Sequence, residues 1–228
     1  MAKSESSAAK KARAQRVAVE LATLYLEARI SLDFETPWQC LAATILSAQC
    51  TDERVNQVTP RLFAEFPDAR ATAKADPQRI EKLIVSTGFF RQKTRSLITT
   101  ARQIVERHGG EVPREMSELV ALSGVGRKTA NVVRGHVFGE PGFVVDTHVK
   151  RLTFRLGFTR SAEPEKIEQE MMELLPAREW TPFSMRLILH GRQVCFARGP
   201  RCEICALARD CPKVGVAVKP ARKPSARI

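Results

Sequence analysis

Four cysteines near the end of the chain have the spacing of a metal centre. They stand within 17 residues in the pattern C-x6-C-x2-C-x5-C, as Cys195, Cys202, Cys205 and Cys211. Because the loops between them are short, gathering four thiolates around one centre costs little closure entropy. A structural zinc ion and a four-iron cluster are both compatible with such a set. A zinc ribbon usually has two C-x2-C pairs and this segment has one, so the spacing favours iron–sulfur.

A glycine hairpin earlier in the chain has the features of a phosphate-binding site. It consists of Gly124, Val125 and Gly126 and is followed by Arg127, Lys128 and Thr129. The glycines permit a tight reversal and leave backbone N–H groups uncovered. These amides and the positive end of the next helix suit a DNA phosphate. An ordinary turn between two helices is the alternative, and the basic residues after the hairpin favour phosphate binding.

An aspartate follows a short apolar run that could not build a sheet alone. Asp146 comes directly after Phe143-Val144-Val145 and before Thr147. An acid at such a boundary most often caps a helix. The side chain can also do both, with one oxygen capping the helix and the other facing a cleft.

The charge balance indicates a polyanionic partner. The chain has 228 residues and a net charge of +12, with a pI of about 9.9. Such a surface favours nucleic acid, although a merely soluble basic protein is the alternative. A hydrophobic fraction of 43% excludes global disorder. No apolar run is long enough for a transmembrane helix, and the N-terminus lacks a secretory h-region, so we expect a cytoplasmic, nucleoid-associated protein.

The two ends carry most of the excess charge. Residues 1–16 contain five basic residues and one acid, and residues 212–228 contain five basic residues and no acid. We expect the first to be a flexible, disordered basic arm and the second a flexible basic tail.

The elements between these ends are predicted to be helices. Apolar residues recur at helical spacing over 17–30, and a second apolar helix is expected near 38–48. Thr181-Pro182 has the composition of an N-cap and first helical residue, for a helix through about Gln193. No segment shows sustained alternation of period two, so the predicted fold is all-α. Cys40 and Cys50 are expected to be small buried hydrophobic residues.

The hairpin, the segment Val145–His148 and the four cysteines occur in an order that closely resembles the endonuclease III family of helix-hairpin-helix DNA glycosylases. The segments Leu46–Asp52 and Ile188–Arg192 also resemble that family. The resemblance runs from about residue 17 to residue 212.

The resemblance implies two helical lobes with a DNA-binding cleft between them. A six-helix lobe with the hairpin would occupy 30–140. A discontinuous iron–sulfur lobe would combine 17–29 with 141–211 and hold one [4Fe-4S] cluster on the four cysteines. The partner would be double-stranded DNA containing damaged bases or abasic sites, bound by a monomer.

The resemblance also implies the chemistry. Lys128 would be the nucleophile that attacks C1′ of the deoxyribose, and Asp146 the carboxylate that stabilises positive charge on the sugar. The resulting imine would permit β-elimination, which breaks the strand 3′ to the abasic site. The family expectation for the damaged base is an oxidised pyrimidine.

A base inside a duplex must be flipped out before it can react. By matching family positions, Gln49 would fill the stack and Phe89 would be an apolar wedge, with core packing as the alternative for Phe89. Ser47 and Asp52 are candidate pocket residues. Arg198 and Arg201 would face phosphates. His148 and His190 are expected to form structural hydrogen bonds.

Three alternatives share parts of this pattern. Adenine glycosylases of the same fold usually lack a lysine at the position of Lys128 and carry a further C-terminal domain. The same lysine disfavours a monofunctional thymine-mismatch glycosylase. A non-catalytic DNA-binding module would need neither Lys128 nor Asp146.

Overall fold

The computed structural model describes residues 5–216, and within that range its regular structure is helical, with no β-strand. The all-α prediction is therefore confirmed. The α-helices are α1 Ser7–Leu24, α2 Pro37–Leu46, α3 Asp52–Glu65, α4 Ala69–Ala73, α5 Pro77–Ile84, α6 Phe90–His108, α7 Met116–Val120, α8 Arg127–Val137, α9 Thr147–Arg155, α10 Pro164–Leu174 and α11 Ala177–Gln193. Two short 3₁₀ helices cover Val85–Thr87 and Ala206–Arg209. Among the helices of this described part, none is long and apolar enough to span a membrane.

The described chain divides into two compact units. The hairpin unit comprises residues 27–144 and 176–185. The cysteine unit comprises the described residues 5–26, 145–175 and 186–216. Helix α11 begins in the hairpin unit and ends in the cysteine unit.

Helix α2 is the central element of the hairpin unit. It packs against α3, α6 and α8, and its apolar side chains are buried on every side. Thr36 caps its start by accepting a hydrogen bond from the Gln39 amide at 3.2 Å, and Pro37 occupies the first turn. Cys40 is fully buried within α2, as expected, and burial raises the pKa of its thiol to about 12. Cys50, in contrast, is only half-buried.

The expected count of six helices in this lobe is wrong, since residues 37–137 form seven α-helices. The additional elements are short: α4 and α7 have five residues each. Helix α4 is capped by Asp68, whose carboxylate accepts from the Ala71 amide at 2.7 Å. Such single-turn helices carry too few apolar positions to show periodicity in the sequence.

The sequence placed all of 141–211 in the iron–sulfur lobe, but the segment 176–185 belongs to the hairpin unit. The Thr181 hydroxyl accepts from the Gly142 amide at 3.2 Å and donates to the Gly142 carbonyl at 2.9 Å. Phe183 is fully buried, with its ring centroid 6.3 Å from that of Phe143. The predicted helix start at Thr181-Pro182 is also wrong, because Thr181 bonds Gly142 and Pro182 lies inside α11.

The disordered arm predicted over 1–16 is wrong for residues 7–16, which form the first half of α1. The Arg13 guanidinium donates to the carbonyls of Leu156, at 2.6 Å, and Asp210, at 3.0 Å, and lies 4.7 Å from the Phe158 ring centroid. Arg16 forms an ion pair with Asp210 at 2.6 Å. Basic side chains of the arm thus hold α1 within the cysteine unit. Residues 1–4 lie outside the described range.

Helix α1 ends at Leu24, short of the predicted boundary at residue 30. The disordered tail predicted over 212–228 is wrong for residues 212–216. There the Val214 amide donates to the Arg155 carbonyl at 3.0 Å, and the Val216 amide to the Lys213 carbonyl at 3.0 Å. The first bond attaches the segment to the end of α9, and the second closes a turn within it. Residues 217–228 lie outside the described range.

Candidate functional site

The hairpin between α7 and α8 requires a glycine. The Val125 amide donates to the Leu122 carbonyl at 3.2 Å, and both side chains are buried. Gly124 has a φ of +74°, a left-handed conformation that residues with a Cβ rarely adopt. A Cβ there would also lie 3.0 Å from Cβ of Ser96 on α6. The turn therefore packs directly on α6.

Two polar side chains of α6 hold the backbone of the hairpin. The Thr100 hydroxyl donates to the Ser123 carbonyl. The Gln103 side chain accepts from the Ser123 amide at 2.7 Å. Because one residue of the hairpin is bonded at both its amide and its carbonyl, the loop is fixed by the longest helix of the hairpin unit.

The start of α8 presents amide groups to its surroundings. Gly126 is the N-cap and supplies no side-chain acceptor. The first bond of the helix joins the Ala130 amide to the Gly126 carbonyl at 3.0 Å, so the amides of Lys128 and Thr129 have no carbonyl partner within the helix. Lys128 is exposed at the second position of α8, and Thr129 is half-buried. A cation and open amides at a helix N-terminus form a binding site for an anion.

Asp146 caps α9, as the sequence predicted. Its Oδ1 accepts from the amides of His148 and Val149, at 2.8 Å each. Its Oδ2 lies 3.1 Å from Nδ1 of His148. The carboxylate is therefore fixed through both oxygens by the first turn of α9. The second oxygen, expected to face a cleft, has His148 beside it, which supports a structural hydrogen-bonding role for that histidine.

Arginines of α9 hold the loop that carries the first cysteine of the array. Arg155 donates to Sγ of Cys195 at 3.2 Å and to the carbonyls of Phe196 and Ala197, at 2.7 and 2.9 Å. Arg151 donates to the Cys195 carbonyl at 3.2 Å. Sequence analysis did not single out these two arginines. Their spacing of four residues places both on one face of α9, and this is the one feature of the sequence that could have indicated a shared role.

A histidine contacts the third cysteine of the array. Nε2 of His190 lies 3.3 Å from Sγ of Cys205, and Nδ1 lies 3.0 Å from the Tyr25 hydroxyl. His190 is buried, and burial lowers its pKa to about 4, so the ring is neutral near pH 7. The structural role expected for His190 is consistent with these contacts.

The four thiols share one environment. Burial raises the pKa of Cys205, and the nearby sulfurs of Cys195, Cys211 and Cys202 raise it further. Within residues 5–216, however, no three Cys, His, Asp or Glu side chains converge as one metal ion would require. A tetrahedral zinc ion needs all four sulfurs about 2.3 Å from one centre.

Gln49 and Phe89 share an unusual backbone conformation. Their φ angles are +53° and +48°, and among the described residues Lys213 is the only other non-glycine residue with positive φ. Such conformations cost about 1 kcal/mol or more and concentrate at functional sites. Phe89 is 62% exposed, which contradicts core packing, and Gln49 is also exposed. Both belong to the hairpin unit.

The other predicted site residues lie at helix ends or in the loop between the first two cysteines of the array. The Ser47 hydroxyl donates to the Thr44 carbonyl at 2.9 Å, and Asp52 is half-buried in the first turn of α3. Arg198 is exposed in the loop between the first two cysteines. Arg201 is also exposed, with its guanidinium 5.3 Å from the Phe196 ring centroid. Lys128 is in the hairpin unit, whereas Asp146 and the four cysteines of the array are in the cysteine unit.

Comparisons with known proteins agree with this architecture. Residues 42–177 match the HhH-GPD superfamily of base excision DNA repair proteins. An endonuclease III from Synechocystis sp. is 55% identical over 206 residues, which cover 90% of this chain and 94% of that protein. An endonuclease III from Thermotoga maritima is 38% identical and covers 77% of this chain and 82% of its own. A solved covalent intermediate of endonuclease III with DNA has a TM-score of 0.84 and 38% identity, and covers 89% of this chain and 96% of that one.

Proposed function

Because this chain belongs to the endonuclease III family of base excision DNA repair proteins, we propose that it excises damaged bases from double-stranded DNA and cleaves the strand at the resulting abasic site. It is a DNA glycosylase with AP lyase activity. The observation that carries this proposal is the exposed lysine at the open N-terminus of α8, directly after a hairpin suited to phosphate binding. We place its action in the cytoplasm at the nucleoid, as a monomer on duplex DNA.

Lys128 is the nucleophile in this proposal. The neutral amine attacks C1′ of the deoxyribose, the bond from C1′ to the damaged base breaks, and the base leaves with a proton from the amine. The C1′–O4′ bond of the sugar ring then breaks, O4′ takes up a proton from solvent, and the electron pair on Nζ completes a protonated imine with C1′. The imine makes the C2′ proton acidic. Loss of that proton and departure of the 3′ phosphate then break the strand by β-elimination. The start of α8 contributes position, since the open amides of Lys128 and Thr129 hold a neighbouring phosphate.

Asp146 supplies negative charge in this proposal. Positive charge develops on the sugar as the base departs, and a fixed carboxylate stabilises that charge. The hydrogen bonds from α9 hold the group in one orientation before substrate binds. Little reorganisation is then needed during the reaction.

Gln49 and Phe89 act on the duplex itself. We assign Gln49 to the space left by the flipped base and Phe89 to a wedge between bases. The exposure and positive φ angles of both residues support these roles. For Phe89 in particular, the exposed ring makes no contribution to the core. Ser47, at the end of α2 close in sequence to Gln49, and Asp52, at the start of α3, are proposed to line the base pocket.

The four cysteines are proposed to hold one [4Fe-4S] cluster. When bound, such a cluster would cross-link the loop between Cys195 and Cys202 to the segment between Cys205 and Cys211. Its role would be structural, because cleavage of the glycosidic bond requires no electron transfer. Arg155, beside Cys195, provides positive charge against the thiolates. Arg198 and Arg201, exposed in the loop so fixed, are proposed to bind DNA phosphates.

Metal analysis distinguishes the two candidate groups. We expect the purified protein to contain about four iron atoms per chain, with a broad absorbance band in the visible blue. Replacement of Cys202 with Ser should lower iron content and absorbance together. The matched control is Cys50→Ser, which changes a half-buried cysteine outside the array and should leave both unchanged. One zinc per chain without visible absorbance would contradict the assignment.

A panel of duplexes tests the reaction and its substrate. We expect cleavage and a borohydride-trapped adduct with thymine glycol, an oxidised pyrimidine, and with an abasic site, but not with an A·G mismatch. An undamaged duplex of the same sequence is the control. Removal of adenine without a trapped adduct would instead indicate a monofunctional adenine glycosylase. Binding without cleavage of any duplex would indicate a docking module.

A further inference from the structure

Lys93 is a buried lysine of α6 to which the reaction above gives no role. Lys93 is only 5% exposed, and it lies on the buried face of α6, near the start of that helix. Burying an ammonium is costly unless hydrogen bonds and nearby charge compensate for the lost water. Burial lowers the pKa of Lys93, while the Cys50 sulfur raises it. An apolar side chain would fill the same space at lower cost, so the ammonium requires an explanation.

The first part of that explanation is the turn that contains Phe89. The Lys93 ammonium donates to the Thr87 carbonyl at 2.8 Å, and the Lys93 amide donates to the Phe89 carbonyl at 3.0 Å. Between these two bonds lie Gly88, with φ +71°, and Phe89, with φ +48°. One residue therefore holds both ends of a turn whose backbone conformation is intrinsically unfavourable.

The second part is the turn that contains Gln49. Gln49 and Cys50 lie between α2 and α3. Helix α2 packs against α6, which carries Lys93, and α3 packs against the 3₁₀ helix Val85–Thr87, whose last carbonyl the ammonium bonds. The Cys50 amide donates to the Ser47 carbonyl at 3.1 Å, which closes the turn around Gln49. The ammonium thus bonds the Phe89 turn directly, and the Gln49 turn joins two helices that pack against the elements on either side of that bond.

We propose that Lys93 is a positioning residue that holds the Gln49 turn and the Phe89 turn in the one arrangement in which both side chains enter the same lesion-containing duplex. This rests on the proposed roles of Gln49 and Phe89. Lys93 does not touch DNA in this account. It acts through the backbone, by keeping two strained turns in register before binding, so that DNA does not have to order them.

Lesion preference is the property that Lys93 should control. We would measure the affinity of Lys93→Met for a duplex with a tetrahydrofuran abasic analogue and for the undamaged duplex. Affinity for the analogue should fall about tenfold, as for a lost hydrogen bond to a charged group, and affinity for undamaged DNA by less than about twofold. The control is Lys82→Met, which removes an exposed lysine of α5 and should leave the preference intact. Equal losses on both duplexes would overturn the proposal.

A double-mutant cycle separates the positioning role of Lys93 from the proposed insertion of Gln49 and Phe89 into the duplex. In the combined Gln49→Ala and Phe89→Ala background, Lys93→Met should weaken analogue binding by less than about twofold further, because the side chains that it positions are gone. A further tenfold loss would show that Lys93 acts elsewhere. If Gln49→Ala and Phe89→Ala themselves leave lesion preference unchanged, the insertion roles fail, and the Lys93 proposal fails with them.

A second variant tests the proposal in case Lys93→Met does not fold. Lys93→Gln keeps a polar amide at the position but is too short to reach the Thr87 carbonyl. A folded Gln variant, verified by thermal unfolding, should lose the preference as the Met variant does. Normal preference in that variant would overturn the proposal.

Discussion

Lys128→Gln is expected to abolish the covalent adduct that borohydride traps between this protein and abasic-site DNA. The amide is uncharged and similar in size, but it cannot form an imine with C1′. Strand cleavage should fall on the order of 10³-fold or more, as for loss of a nucleophile. Gel analysis of the trapped adduct and of the cleaved strand measures both quantities in one reaction.

Binding data make this prediction specific. Lys128 is exposed at the start of α8, so its replacement should leave thermal stability nearly unchanged. Affinity for an abasic-analogue duplex should fall by less than about tenfold, since one cation is lost among several contacts. Lys166→Gln, on the exposed surface of α10, is the matched control and should cleave normally. A Lys128→Gln protein that still forms the adduct would refute the assignment.

Asp146→Asn should slow base removal by about 10² to 10³-fold, because it removes negative charge opposite the developing positive charge of the sugar. Asparagine is as good an N-cap as aspartate, so α9 should keep its start and the protein its stability. Single-turnover release of thymine glycol from a duplex measures the effect on chemistry apart from product release.

Two further variants separate charge from capping. Asp146→Ala loses both functions, and should lower the free energy of unfolding by about 1 kcal/mol in addition to slowing the reaction. Asp76→Asn changes the N-cap of α5 in the same way and should leave base removal unchanged. Full activity of Asp146→Asn would show that the residue serves only to begin α9.

The sequence predicted the parts of the site whose physics is local. The Gly124 turn, the α8 N-terminus and the capping role of Asp146 each depend on a few adjacent residues. Backbone conformation and capping act over these distances, so composition alone reveals them. The all-α class follows from periodicity for the same reason.

The parts that the sequence did not predict depend on partners far along the chain. Residues 7–16 are polar and basic, and nothing near them indicates that Arg13 and Arg16 would bond Asp210. The same holds for Thr181, whose hydroxyl bonds Gly142 instead of capping a helix. The positive φ angles of Gln49 and Phe89 could not be predicted from the sequence either, since neither residue type favours that conformation. Charge counts mislead here because they do not show which cations are already paired.

The contacts of Arg13 and Arg16 have a consequence for the order in which the protein can be made. The buried face of α1, formed by Ala14, Val17, Ala18 and Leu21, belongs to a unit whose other segments begin at residue 145. During synthesis residues 27–144 of the hairpin unit emerge while α1 still lacks its partners, and Asp210 emerges later still. Helix α1 is therefore buried only after residues from 145 onward have been made. A chain whose synthesis stops early exposes that apolar face to proteases and chaperones, so incomplete molecules are open to removal before they can reach DNA.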